Sequence, residues 1–321
     1  MKAVRGLVLL VLGLAAAGLV LAWTFLGSAT IAKDTPFTIP AGASVGTVAA
    51  KLEAEGLISS ASGFTLQARI FGSDAPIQAG EFLLKPGMSQ GDILEAFQSG
   101  DVIRRFVTVP EGMPSILVWE RLMGEELLTG DVDVPPEGSI LPDTYSFERG
   151  QSRAKLVEQM QAAMDRALAE EWAKRRPGIP VSTMREALIL ASIVEKETGK
   201  PEERRMVAGL YSNRVRTGMK LQADPTIIYP ITKGKPLGRR IKQSEIAAVN
   251  GYNTYTRTGL PEGPITNPGR DSIAAVMNPE NTGALFMVAD GTGGHWFADT
   301  LAEHNANVAK WYAIRRERGE M

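Results

Sequence analysis

The chain contains no cysteine, which excludes disulfides, thiolate metal sites, cysteine nucleophiles and a lipid-modified cysteine anchor. Histidine is nearly absent: His295 and His304 are the only two. They show neither H-x-x-x-H spacing nor a thiolate neighbour, so neither a metal site nor a cofactor is expected. Charge of one sign is missing as well. The 35 basic and 36 acidic side chains leave a net −1, so no global field draws the chain onto nucleic acid, and any partner must be recognised locally.

What is present is apolar bulk and length. With 321 residues, 44% of them hydrophobic, the chain can bury a sizeable core and has room for two domains. Lys2 and Arg5 precede an uncharged run from Gly6 to Ala32. A bilayer needs about 20 apolar residues, whereas the apolar region of a signal peptide spans about 7 to 15. The run therefore predicts a retained single-pass transmembrane helix over residues 6–27. Residues 1–5 would lie in the cytoplasm, Trp23 near the far interface, and the rest of the chain outside the inner membrane, in the periplasm of a two-membrane cell.

An α+β organisation follows. Residues 35–109 alternate a strand, two helices, a strand, a helix and a strand, with Ser44 as a helix cap and Val45, Val48, Ala49 and Leu52 at helical spacing. This small module looks like a LysM-type glycan-binding unit; the alternative is a spacer without ligand. Residues 110–180 read as a connecting region, because "DVDVPPEGSILPDTYSFERG" is broken by prolines and glycines. Within it a long amphipathic helix carries Leu156, Met160 and Met164 on one face, a packing stripe. Residues 181–317 hold most of the chemistry, on an α+β domain with long polar loops where binding residues usually sit.

One helix there raises a question. "LILASIVEKETGKPEE" begins as apolar as a core and then sets Glu195 and Glu197 beside Lys196. Thr183 and Glu186 form a capping box at its start, and Gly199 with Pro201 ends it. Glu197 lies one turn above Ile193 and Val194 and two above Leu190, whereas Glu195 lies above Ala191 and Ser192. Burial and the negative end of the helix dipole both disfavour charge on Glu197 and raise its pKa, which suits a general acid. The alternative is that both glutamates are solvated or paired with Lys196, Arg204 or Arg205.

Read together, "ASIVEKETGKPEERRMVAGLYSNRVRTGMKLQADPTIIY", "YNTYTRTGLPEGPITNPG" and "VADGTGGHWFADTLAEHN" resemble the YceG-like (MltG) family of endolytic murein transglycosylases, strongly over about Val181 to Lys310. The resemblance implies a catalytic second glutamate, which maps onto Glu197. It implies cleavage of the β-1,4 bond between N-acetylmuramic acid and N-acetylglucosamine in peptidoglycan, endolytically, near the membrane, in partnership with peptidoglycan synthases such as penicillin-binding proteins. Glu197 would protonate the glycosidic oxygen and then take the proton of the muramic acid C6 hydroxyl, leaving a 1,6-anhydro end.

Other residues belong to the cleft by resemblance and by chemistry. Gln222, Asn253 and Thr254 offer neutral hydrogen bonding, Tyr252 and Tyr255 flat apolar faces for sugar rings, and His295 a group to orient a carboxylate or hydroxyl. Asp224 is the best second carboxylate; its other reading is an Asx turn before Pro225. Two further readings stay open. One is a muramidase using Glu197 with Asp224; the other is a non-catalytic glycan-binding scaffold that recruits wall-synthesis enzymes.

Overall fold

The computed structural model describes residues 2–26 and 29–320; side chains of residues 2–6, 21, 24 and 26 lie outside that description. The chain forms two compact units, Met1–Arg105 with Ser146–Arg149, and Phe106–Tyr145 with Gly150–Met321. Mixed helix and sheet build both, so the α+β class stands.

In the first unit α1 (Lys2–Leu26) is a 25-residue helix. Among the described residues no helix is long and apolar enough to cross a membrane, and the expected span over 6–27 falls partly on residues outside the description. Phe25 is buried and stacks on Phe71 with ring centroids 5.6 Å apart. There follow β1 (Thr35–Ile39), α2 (Val45–Ala54), α3 (Ala61–Phe71), β2 (Gly80–Leu84) and α4 (Gln90–Ser99). The strands β1 and β2 pair antiparallel with Phe37 opposite Phe82, and both rings pack on Phe97. Ser44 caps α2 through the amide of Thr47 at 3.1 Å, as its position in the sequence predicts. Glu81 is buried yet compensated by Arg105 at 2.5 Å and Arg149 at 3.1 Å, the condition under which an interior charge is tolerated.

The chain passes between units in β3 (Arg105–Thr108) and β4 (Thr144–Phe147), with α5 (Ser115–Met123) between them in the second unit. Next come α6 (Arg153–Ala173), α7 (Met184–Glu197), α8 (Arg204–Arg216), α9 (Pro225–Thr232), the short α10 (Gln243–Ile246) and α11 (Arg270–Met277). A hairpin of β5 (Phe286–Ala289) and β6 (His295–Ala298) and a last helix, α12 (Leu301–Glu317), complete it.

Residues 110–180 are more than a join. The stripe Leu156, Met160 and Met164 of α6 is fully buried, and Met164 and Leu168 belong to the same core as Leu190, Ile193 and Val194 of α7. A 21-residue helix with an unbroken apolar stripe must cover it, and α7 and α11, the latter with Ile273 and Val276 in that core, are surfaces that do so. The α7 capping box forms as read: Thr183 Oγ1 accepts from Glu186 N at 3.1 Å, and the Glu186 carboxylate accepts from Thr183 N.

The polar "GPITNPG" loop departs from expectation. Residues 263–269 are all buried. Asn267 donates to Met113 O and Ser115 Oγ and accepts from Ile140 N at 3.0 Å, while Thr266 Oγ1 donates to Gly112 O. Its polar groups satisfy backbone rather than water, which is the only arrangement that makes a loop cheap to bury.

Candidate active site

Glu197 is the last residue of α7, and its carboxyl lines a cavity of about 410 Å³. The cavity brings together five of the residues singled out from sequence: Glu197, Gln222, Asp224, Tyr255 and His295. Lys196, Tyr211 and Arg214 add polar lining, and Leu210, Pro225, Ile228, Met287 and Val288 supply apolar wall.

The carboxyl of Glu197 sits in an environment built to keep it neutral. Burial pushes its pKa up to about 7 from an ordinary 4.5, reinforced by the negative charge of Asp224; the Tyr211 hydroxyl, hydrogen-bonded to it, and the Arg214 guanidinium pull the other way. Oε1 is buried with no hydrogen-bond partner among the described residues. An orphaned carboxylate oxygen is costly, so the protonated acid is favoured, with a proton to deliver near neutral pH.

Glu195 answers the other half of the question posed by the helix. Its Oε2 accepts from Gly269 N at 3.0 Å and from Ser272 Oγ at 2.7 Å. Gly269 is the N-cap of α11 and has no side chain; Glu195 instead ties the start of that helix to α7 through the Gly269 amide and the Ser272 hydroxyl. The alternative that Glu195 pairs with Lys196, Arg204 or Arg205 is corrected, since no ion pair among the described residues involves it. Arg204 pairs with Glu111 and Asp271, and Arg205 with Glu280.

Asp224 makes no Asx turn. Its backbone is helical at φ −53, ψ −39 with no side-chain cap, because Pro225 already occupies the first helical position and needs no amide partner. Its carboxylate instead accepts from Tyr255 Oη at 2.6 Å, which holds a second negative group at the rim. Gln222 is exposed to the cavity on a left-handed backbone, φ 51. It is held there by Thr254, whose carbonyl accepts from Gln222 N and whose Oγ1 accepts from Ala223 N. Such a conformation is strained for a residue other than glycine.

His295 is clamped by Glu203, which accepts from its backbone amide at 2.9 Å and lies 2.8 Å from Nδ1. That contact leaves Nε2 as the ring nitrogen free for a ligand. Gly294 makes the clamp possible: a Cβ there would lie 2.3 Å from the Glu203 carboxylate. His304, in contrast, stacks on Phe286 at 5.3 Å, and burial pushes its pKa down.

Three residues do not reach the cavity. Asn253 is fully buried, donating to the carbonyls of Glu245, Ile246 and Ala248 and accepting from Tyr255 N. Thr254 is fully buried against Thr226 Oγ1 at 2.8 Å. Tyr252 packs on Tyr229 with centroids 4.8 Å apart. Their polarity braces the loop that presents Tyr255 and supports Gln222.

Sequence reasoning missed Tyr211 and Arg214. They sit one turn apart on α8, fully and nearly fully buried. Arg214 donates to Leu285 O at 2.7 Å and to Leu221 O at 2.5 Å, tying α8 to the hairpin and to the Gln222 segment. A signal existed: an i, i+3 tyrosine and arginine inside an otherwise apolar helix face need internal partners.

The chain matches the YceG-like family over residues 37–310. It belongs to that family. A Streptococcus pneumoniae protein named endolytic murein transglycosylase is 28% identical, over 85% of this chain and 57% of its own length; the chain thus spans little more than half of that relative. A Bacillus subtilis protein of the same name is 27% identical over 90% of this chain and 89% of its own. A crystal structure of a YceG-like protein from Listeria monocytogenes is 27% identical, with TM-score 0.52 over 85% of this chain and 99% of that one.

Proposed function

We propose that this chain is an endolytic peptidoglycan lytic transglycosylase in which Glu197 is both acid and base. One observation carries the reading: a buried carboxyl with a pKa of about 7 lining a cavity. The relatives named endolytic murein transglycosylase supply the substrate class. Protonated Glu197 gives its proton to the glycosidic oxygen as the bond to muramic acid C1 breaks. The resulting carboxylate, eased by Tyr211 and Arg214, takes the proton of the C6 hydroxyl as O6 closes on C1. The products are an anhydro end and a free C4 hydroxyl, no water is consumed, and Glu197 is restored as an acid.

A muramidase would need a second carboxylate across the bond as nucleophile or water-activating base. Among the described residues Asp224 is the only acid beside Glu197 on the cavity lining, and its bond to Tyr255 suits an electrostatic part better than attack. Gln222, Asp224, Tyr255 and His295 form the substrate-binding set in this reading, whereas Asn253, Thr254 and Tyr252 act by shaping the loop.

In this reading, which rests on the apolar run from Gly6 in the sequence and not on any described helix, that run is a single-pass anchor in the cytoplasmic membrane, with Lys2 and Arg5 inside and the catalytic unit outside, near the synthases that make its substrate. The order β1, α2, α3, β2 with paired strands supports a LysM-like glycan-binding module. Analysis of the ends made from purified sacculi tests the function: anhydro ends support it, reducing ends favour the muramidase, and no new ends leave a scaffold.

A further inference from the structure

Helix α3 turns an apolar face to solvent. Its inner side, Phe64 and Gln67, is buried, as an amphipathic helix requires. The outer side should then be charged, yet Leu66, Ile70 and Phe71 are 48%, 54% and 44% exposed, and Arg69 is the one charged residue of the helix. Neighbouring helices of the same unit follow the rule: α2 exposes Glu53, and α4 exposes Asp92 and Glu95. Leu66 and Ile70 stand one turn apart on a single stripe, and Phe71 adjoins them at the C-terminal end.

A direct contact ties this face to the N-terminal apolar run. Phe25 stacks on Phe71 with ring centroids 5.6 Å apart and is wedged against α4, where a Cβ on Gly91 would lie 3.0 Å from its ring. From Gly6 to Phe25 the run holds no charge and amounts to about 30 Å of helix, the depth of a bilayer's hydrocarbon core. Phe25 therefore marks the outer interface when the run spans the membrane, and Phe71 is held at that level. Ile70 is the adjacent residue, and Leu66 lies about 6 Å further along α3. Apolar side chains of the run, among them Leu9, Leu14 and Leu19, are exposed as well, so the two surfaces need the same cover.

Resting on the anchor reading, we propose that the exposed face of α3 is seated in the outer leaflet of the cytoplasmic membrane, so that the small module lies against the bilayer rather than hanging from a free tether. The contact is apolar: Leu66, Ile70 and Phe71 enter the boundary between headgroups and acyl chains, and Arg69 lies beside them at headgroup level. Asp92 and Glu95 share a cavity of about 580 Å³ with Phe25 and Phe71, which weighs against attraction by anionic headgroups. Buried apolar area, not charge, carries the binding.

The chain has no cysteine, so single cysteines can carry a fluorescent probe at chosen sites of the full chain, reconstituted into phosphatidylcholine vesicles. A probe at Arg69→Cys should be quenched by a lipid nitroxide placed shallow in the acyl chain at least about threefold more than one at Glu53→Cys on α2, and be shielded from aqueous iodide. Leu66→Ser/Ile70→Ser should bring the Arg69→Cys probe down to the Glu53→Cys level with the melting temperature held, since both side chains are exposed. Salt at about 0.5 M, or phosphatidylglycerol in the vesicles, should change the quenching by less than about twofold. Equal quenching at the two sites, or quenching that survives the double variant, would overturn the proposal. Shielding from iodide without lipid quenching would overturn it too, by giving the face to another protein surface. A probe at Leu12→Cys reads the anchor separately, through a nitroxide deep in the acyl chain. If that probe stays unquenched, the anchor reading falls, and the α3 face then stands or falls on the Arg69→Cys probe in the same vesicles.

Discussion

Asp224→Asn isolates one contribution to the acidity of Glu197. After burial, the Asp224 charge is the largest influence holding that pKa at about 7. Asparagine keeps an oxygen to accept from Tyr255 Oη but carries no charge. With it, the pKa of Glu197 should fall by about one unit, equivalent to about 1.4 kcal/mol. At pH 7 the protonated fraction would drop from about one half to about one tenth, so kcat/KM at that pH falls about fivefold from protonation alone. Near pH 5.5 both forms of the protein are mostly protonated, and the deficit should nearly vanish. The assay is the pH dependence of kcat/KM on glycan strands from pH 5 to 9, with the product ends identified. A basic limb that stays put or moves upward would refute the reasoning. Uniform loss of turnover at every pH would instead make Asp224 a direct participant, as in a two-carboxylate hydrolase.

Three more predictions follow from the geometry. Glu197 is easier to protonate in the folded state, so the stability it contributes is fully present below about pH 4.5 and is lost as pH rises through about 7, a span worth about 3 kcal/mol; urea denaturation should show Glu197→Gln more stable than the unsubstituted protein at pH 8 and not at pH 4.5. Glu195→Ala should cost about 1–3 kcal/mol by leaving the Gly269 amide and the Ser272 hydroxyl without their partner, whereas Glu195→Gln should be milder and the folded fraction should still cleave; full activity loss in well-folded Glu195→Gln would contradict a purely structural role. Gln222→Gly should raise stability by up to about 1 kcal/mol by relaxing φ 51 while raising KM, and a lower melting temperature would show that the conformation is not strained.

How much was legible depended on which physics the residues expressed. Periodicity and caps were readable: the α6 stripe, the Ser44 cap and the Thr183/Glu186 box all form as their spacing requires. The burial of Glu197 and the upward push on its pKa were readable too, because desolvation follows from what lies one turn below it on α7. Polarity in loops was not. Asn253 and Thr254 look like ligand-binding residues in sequence, yet each is fully buried and spends its hydrogen bonds on protein partners. A sequence names a donor without naming its partner. Tyr211 and Arg214 were hidden for the converse reason, since helical residues at core spacing read as packing until the carboxyl beside them is placed.

The most direct measurement is mass spectrometry of muropeptides released from purified sacculi by the unsubstituted protein and by Glu197→Gln, with folding of the variant checked by its melting temperature. The amide preserves the shape of the side chain but cannot deliver or accept the proton, and general acid–base participation is worth about 10² to 10⁴ in rate. The unsubstituted protein should release 1,6-anhydro ends, and the folded variant should release none above background. Anhydro ends made by Glu197→Gln at an undiminished rate would contradict the central claim that this one carboxyl on the cavity lining carries the chemistry.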